Sequence, residues 1–152
     1  MKKLLLFTAV NCLLLTANCQ LNYWQQEVNY IIDVTLNDKE HRLDGYEKIE
    51  YTNNSPDTLQ FIWFHCWPNA HKNDKTAFTD QLLENGSTKF YFSEKEEKGY
   101  INKLDFKVNN ITAATEDHPQ HIDIVKLILP APLAPGQKIM ISTPFHVKLP
   151  YN

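Results

Sequence analysis

Apolar and polar side chains alternate over much of the chain, and this pattern predicts a protein built mainly from β-strands. From Val28 to Leu36 every second residue is apolar, and only Ile31 interrupts the alternation. A short polar link follows, and the alternation resumes from Leu43 to Tyr51. A period of two is typical of a half-buried strand, and two such strands joined by a short link predict a hairpin.

The remaining apolar segments predict at least four more strands. Residues 59–67 are apolar on both faces, which predicts a central strand covered on both sides and closed by Pro68. Further strands are predicted at residues 104–108, 122–129 and 139–147. A rigid turn is predicted before the last strand, at Pro130, Pro132, Pro135 and Gly136.

One short helix is predicted at residues 76–84. Thr76 or Asp74 is its expected N-cap, and Asn85-Gly86 is expected to end it. Its expected apolar face consists of Phe78, Leu82 and Leu83. The predicted fold class is therefore all-β: an antiparallel β-sandwich, or a curved saddle-like sheet, with one short helix.

The N-terminus has the pattern of a secretory signal peptide. Two lysines precede an apolar stretch at residues 4–17, which is shorter than the about 20 residues that span a bilayer. We expect cleavage after Cys19, which leaves residues 20–152 as an exported, periplasmic or extracellular domain with no stable transmembrane segment. The alternative is a lipoprotein that keeps Cys19 as its lipidated first residue.

Composition narrows the class of protein further. A chain of 152 residues, 43% of them hydrophobic and 12% aromatic, suits one globular domain and excludes a disordered one. The formal net charge is −3 and no long run of one sign occurs, so a nucleic-acid partner is not expected. After cleavage Cys66 is the remaining cysteine, so no internal disulfide is expected. The hydrophobic core must then stabilise the fold without one.

No motif of a catalytic, cofactor or metal site is found. The chain has neither an HExxH segment nor a GxSxG segment. Cys66 lies on the most apolar segment, which predicts a buried, unreactive thiol. His118 and His121 are three residues apart, but Pro119 between them excludes a regular helix, so we expect a turn rather than a metal pair. The remaining groups are expected in strands, loops or turns without a site: His41, His65, His71, His146, Glu96-Glu97 and the Asn-x-Ser/Thr triplets at Asn53, Asn85 and Asn110.

Several consecutive motifs together resemble one known family. They are an L-x-G turn at residues 43–45 that leads to Ile49-Glu50-Tyr51-Thr52-Asn53, then Ser55-Pro56-Asp57-Thr58-Leu59, then Trp63-Phe64-His65-Cys66-Trp67-Pro68-Asn69-Ala70, then Lys72-Asn73-Asp74-Lys75-Thr76-Ala77-Phe78. This series resembles the start of the N-terminal domain of aminopeptidase N-like zinc metallopeptidases, above all exported bacterial members. The resemblance extends over residues 21–152.

The resemblance implies a saddle-shaped, β-rich domain without catalytic residues of its own. In that family this domain packs on a thermolysin-like catalytic domain, which binds zinc and hydrolyses peptide substrates. The HExxH motif belongs to that following domain, so we expect this chain to be inactive alone and to hold no zinc. The resemblance further implies that the domain is incomplete at its C-terminal end, with an unpaired strand edge and exposed apolar surface.

The residues also permit a second interpretation, an exported β-sandwich that acts alone as a binding module. Its expected binding face consists of Trp63, Trp67, Tyr91 and Phe92, which could stack on a sugar or contact a protein. If these aromatic residues belong to the core, that interpretation fails.

Overall fold

The computed structural model describes residues 23–151, and most of the elements in that range are antiparallel β-strands. The strands are β1 (Glu27–Asn37), β2 (Arg42–Thr52), β3 (Leu59–His65), β4 (Tyr100–Asn102), β5 (Lys107–Val108), β6 (Ile111–Thr112), β7 (Thr115–Asp117), β8 (Ile124–Leu133) and β9 (Lys138–Lys148). Six form a large sheet in the order β1-β2-β9-β5-β6, with β4 also paired to β9, and three form a small sheet in the order β3-β8-β7. The predicted all-β class is confirmed, whereas the predicted signal peptide, residues 1–19, lies outside the described range.

Strands β1 and β2 form the predicted hairpin, with an unbroken antiparallel register from Glu27 opposite Thr52 to Asn37 opposite Arg42. On β2 the alternation describes burial well, since Ile49 on the inner face is 1% exposed. On β1 the prediction of a half-buried strand is wrong, because the side chains of Tyr30, Ile31, Ile32, Val34 and Leu36 are all exposed. Strand β1 is the edge of the large sheet, and the core lies over the neighbouring strands.

The prediction of a central strand at residues 59–67 is also wrong. Among residues 23–151 the one partner of strand β3 is β8, so β3 is an edge of the small sheet, with Phe61 and Trp63 exposed. The central strand is β9, which pairs with β2 on one side and with β4 and β5 on the other. The sequence pattern misled because the outward face of β3 carries aromatic side chains that remain in solvent.

Prolines mark irregularities in two strands. Strand β8 does not end at Leu129 as predicted but continues through Pro130 and Pro132, where the register with β3 shifts. Such a bulge accommodates residues that lack a backbone N–H group. The turn itself is shorter than predicted and is centred on Gly136, whose φ is 75°.

The segment at residues 104–108 is only partly a strand. Phe106 is 3% exposed and packs in the core, as the alternation implies, but the ladder is limited to Lys107 and Val108. Before them the backbone N–H of Asp105 donates to Oγ1 of Thr143 at 2.9 Å, so a side chain replaces the strand partner.

The predicted helix is confirmed as α1 (Ala77–Glu84). Oγ1 of Thr76 accepts a hydrogen bond from the backbone N–H of Thr79, which identifies Thr76 as the N-cap. Gly86 follows the helix with a φ of 79°, a conformation that glycine adopts without strain. Among residues 23–151 no helix has the length and apolarity that a membrane crossing requires.

Both sheets contribute to one hydrophobic core, so they pack against each other. Ile49 and Ile141 of the large sheet and Leu127 of the small sheet are at most 1% exposed. The buried cluster consists of Ile49, Ile62, Phe106, Val108, Ala113, Leu127, Leu129, Leu133 and Ile141. Each sheet buries one face in this core and presents its other face to solvent.

Candidate functional site

Asn53, a residue of the first family-like motif, joins the two sheets. Its side chain is fully buried, and its Nδ2 donates to the backbone carbonyls of Asp57 at 2.8 Å and of Leu133 at 3.0 Å. Its Oδ1 accepts from the backbone N–H of Ser55 at 3.0 Å and from the Ser55 hydroxyl at 2.6 Å. All the hydrogen-bonding groups of the amide are thus occupied in holding backbone segments, which is a structural role.

Asn69 and Thr76, from the later motifs, have the same kind of role. Asn69 lies in a 3₁₀ turn (Trp67–His71), and its Oδ1 accepts from the backbone N–H of Ile101 at 3.1 Å. The Thr76 hydroxyl donates to the backbone carbonyl of Ala70 at 2.8 Å. Asn69 is 7% and Thr76 is 4% exposed, so the family-like motifs place buried polar side chains where loops join the sheets.

Cys66 is a buried free thiol, as the sequence predicts. Burial raises the pKa of Cys66 to about 11, with smaller contributions from the carboxylates of Glu47, Asp123 and Asp117. Since the thiolate is the reactive form, this thiol is unsuited to nucleophilic or metal-binding chemistry near neutral pH.

The described histidines do not form a zinc site. The rings of His118 and His121 lie 4.8 Å apart between centroids, but they have no third ligand beside them. His65 Nε2 is held by Asp123 Oδ2 at 2.9 Å. Within residues 23–151 no three side chains of His, Cys, Asp or Glu are placed to hold a metal ion, so the residues there do not fit a zinc ion.

The three Asn-x-Ser/Thr triplets occur in turns or caps. Asn53 follows β2, and Asn85 is the C-cap of α1. Asn109 and Asn110, with φ values of 49° and 68°, form the two-residue link between β5 and β6. These positions agree with the prediction that the triplets are turn sequences.

The aromatic residues of the second interpretation are not in the core. The exposed fractions are 47% for Trp63, 70% for Trp67, 41% for Tyr91 and 75% for Phe92. The tilted rings of Trp67 and His65 have centroids 4.1 Å apart, while Tyr91 contacts Phe92 edge-to-face at 5.0 Å. The structure thus brings Trp63 and Trp67 to the small-sheet side, and Tyr91 and Phe92 form a separate pair.

A cleft of about 390 Å³ lies between β1 and β2 of the large sheet and the β3 edge of the small sheet; we call it the intersheet cleft. Seven of its lining residues are aromatic or titratable: Tyr30, Glu47, Tyr51, Trp63, Phe64, His65 and Trp67. Its volume is in the range of small-molecule sites.

Sequence reasoning did not single out Glu47, although a signal was present. Along β2 the inward positions are Leu43, Gly45, Glu47, Ile49 and Tyr51, so a carboxylate occupies a position on the apolar face. The glutamate is half-buried, and burial raises its pKa above the ordinary value. A search for charged residues at apolar positions of an alternating strand would identify Glu47.

No family model matches the chain, and no curated protein matches it. Among solved structures, one similar protein is a two-domain M1 zinc metallopeptidase, a mutant bound to L-arginine. The similarity has a TM-score of 0.47 at 13% sequence identity and covers 80% of this chain but 20% of that one. The chain thus spans about a fifth of the length of that structure. At this level the similarity is distant and assigns no function to the chain.

Proposed function

We propose that the chain is a non-catalytic scaffold domain of an exported zinc metallopeptidase of the aminopeptidase N-like type. Its function is to support a catalytic domain and to form part of the wall of the substrate cleft. Peptide hydrolysis and zinc binding belong to that other domain, and peptides are the substrates of the whole enzyme.

The role of the motif residues carries this proposal. Asn53, Asn69 and Thr76 come from three successive family-like motifs, and each is buried and bonded to the backbone of another segment. Residues that position backbone are what a supporting domain needs, because they fix the shape of the surface offered to a neighbour.

The exposed apolar surface supports the same proposal. Among the described strands β1 is an edge of eleven residues that pairs on one side, and its Ile32, Val34 and Leu36 are each more than half exposed. A long apolar edge strand is normally covered, because uncovered edges pair with other chains. In this proposal a neighbouring domain covers the β1 edge.

An activity assay tests the catalytic part of the proposal. The purified full chain, with Zn²⁺ added, is incubated with a panel of aminoacyl para-nitroanilides, and release of nitroaniline is followed with and without a chelator. We expect no release above the blank in either arm. Turnover that requires zinc and is abolished by the chelator would overturn the scaffold assignment.

Export is tested separately, by mass spectrometry of the N-terminal peptide of chain recovered from outside the cytoplasm. A mature chain that begins at Gln20 agrees with cleavage by an ordinary signal peptidase. A lipidated Cys19 still agrees with export but assigns the chain to the lipoproteins. An intact residue 1 contradicts export by either route.

A second candidate function is a binding module that acts alone, and the exposure of Trp63 and Trp67 favours it. Exposed aromatic side chains are frequent in sites for sugars and proteins. Sedimentation and thermal unfolding separate the two candidates. A monomer with a cooperative melt favours the binding module, and association through uncovered surface favours the scaffold domain.

A further inference from the structure

The intersheet cleft combines a carboxylate with aromatic side chains. The register places Glu47, Ile49 and Tyr51 on the inner face of β2, and Tyr30 of β1 lies opposite Ile49 on the same face. Tyr30 is therefore a diagonal neighbour of Glu47 across the strand pair. The small sheet forms the opposite wall, and Trp63, His65 and Trp67 lie at its rim, because alternation along β3 places Trp63 and His65 on the outward face of that strand.

Glu47 has no counter-charge in the described part of the chain. Its carboxylate forms no hydrogen bond and no ion pair with another residue in 23–151. Burial raises the pKa of Glu47 above its ordinary value. His65, the histidine of the lining, is already bonded to Asp123. Lys48, the nearest lysine in sequence, is on the opposite face of β2, because neighbouring residues of a strand alternate.

Desolvation makes the ionised form of a half-buried carboxylate unfavourable, and a nearby positive charge stabilises that form. Aromatic faces attract the same sign of charge, since the ring quadrupole is negative above and below its plane. A ligand that presents a positive group on an apolar stem satisfies both features of the cleft at once.

We propose that the intersheet cleft binds an organic cation of the alkylammonium class, with Glu47 as its counter-ion, Tyr30 and Tyr51 beside its stem, and Trp63 and Trp67 at the rim. The ligand is a free amine or the side chain of a lysine in a peptide. This inference is independent of the proposed function, because it concerns a site that lies wholly within this chain.

The test uses the indole N–H signals of the full chain in two-dimensional NMR. The chain has three tryptophans, of which Trp63 and Trp67 line the cleft while Trp24 does not. Butylammonium and the peptide acetyl-Ala-Lys-Ala-amide are titrated in parallel, with 1-butanol and acetyl-Ala-Gln-Ala-amide as uncharged counterparts. We expect the signals of Trp63 and Trp67 to shift saturably with the cations, and the signal of Trp24 to remain in place.

The substitution Glu47→Gln keeps the shape of the side chain and removes its charge, and we expect it to weaken cation binding at least about tenfold. Asp33→Asn is the matched control, since Asp33 is an exposed carboxylate on the opposite face of the neighbouring strand β1. That control should leave the affinity within about twofold, because an exposed charge is screened by solvent. Circular dichroism verifies that both variants are folded.

The proposal is overturned if neither cation shifts the indole signals at concentrations up to about 50 mM. It is also overturned if the uncharged probes bind equally well, or if Glu47→Gln binds as tightly as the parent chain. Binding of butylammonium alone identifies a small amine as the ligand, and binding of the lysine peptide identifies a protein segment. None of these results depends on whether a metallopeptidase domain exists.

Discussion

The side-chain amide of Asn53 donates a hydrogen bond of 3.0 Å to the backbone carbonyl of Leu133, a residue 80 positions further along the chain. Asn53 follows the last residue of β2 in the large sheet, and Leu133 is the last residue of β8 in the small sheet. The backbone of Asn53 also bonds to the turn before β9, through Gly136 and Gln137. Through its side chain and backbone, one buried residue thus joins the end of β2, the end of β8 and the turn before β9.

The first prediction concerns this junction. Asn53→Ala should lower the free energy of unfolding by about 3 kcal/mol, because it leaves several buried backbone groups without a partner. Urea unfolding measures the loss. The control is Asn54→Ala, at an exposed neighbour, for which we expect about 0.5 kcal/mol or less. Equal losses in both variants would contradict the assigned role of Asn53.

The second prediction concerns Gly45, which lies beneath the ring of Phe145 on the adjacent strand. A Cβ atom at position 45 would collide with that ring and would lie 2.8 Å from the backbone oxygen of Asp33. Gly45→Ala should therefore cost about 1–3 kcal/mol of stability. Adding Phe145→Leu should recover part of the loss but not all, because the Asp33 oxygen remains. Gly45→Ala as stable as the parent in urea would refute the close packing.

The third prediction concerns the thiol of Cys66, whose pKa burial raises to about 11. At about pH 8 an unfolded cysteine is partly ionised, whereas the folded Cys66 is not. We expect iodoacetamide to label the peptide that contains Cys66 at least about a hundredfold more slowly in the folded chain than in urea. Mass spectrometry of that peptide gives both rates. Rapid labelling without denaturant would show an accessible thiolate.

The fourth prediction is a pH dependence at Glu47, whose pKa is raised by burial in the folded state. The folded chain therefore retains this proton to higher pH than the unfolded chain, and ionisation destabilises the fold. The cost is absent below the ordinary glutamate pKa of about 4.3 and complete above the raised value. Relative to the parent chain, Glu47→Gln should thus gain stability as pH rises from about 4 to about 7. Urea unfolding at several pH values measures the difference in stability between the two chains. A variant that is more stable than the parent only at low pH would contradict the prediction.

Much of the fold could be predicted from alternation and caps. The β1–β2 hairpin and the helix that begins after Thr76 follow from local patterns, because their hydrogen bonds and turns are local. The last strand follows from its alternation, although its partners are distant in sequence. The position of a strand within its sheet could not be predicted in this way. The aromatic run at β3 has the composition of a buried centre but lies at an edge, since composition does not show which face another sheet covers.

The candidate site was less accessible from the sequence. The exposed aromatics Trp63 and Trp67 were named as a possible face, but their neighbourhood with Glu47 depends on how the two sheets pack. That packing is a relation between residues 16 or more positions apart in the chain. Glu47 gave a local signal, a charge on an apolar face, and the cleft around it became visible only in three dimensions.

The central claim of the proposed function is that this chain supports the catalytic domain of a zinc metallopeptidase. Reading the genomic DNA beyond codon 152, in frame and in both neighbouring frames, tests this claim most directly. We predict an HExxH codon series roughly two hundred codons downstream, an interval set by the size of a domain. A downstream sequence with no such series in any frame would contradict the account.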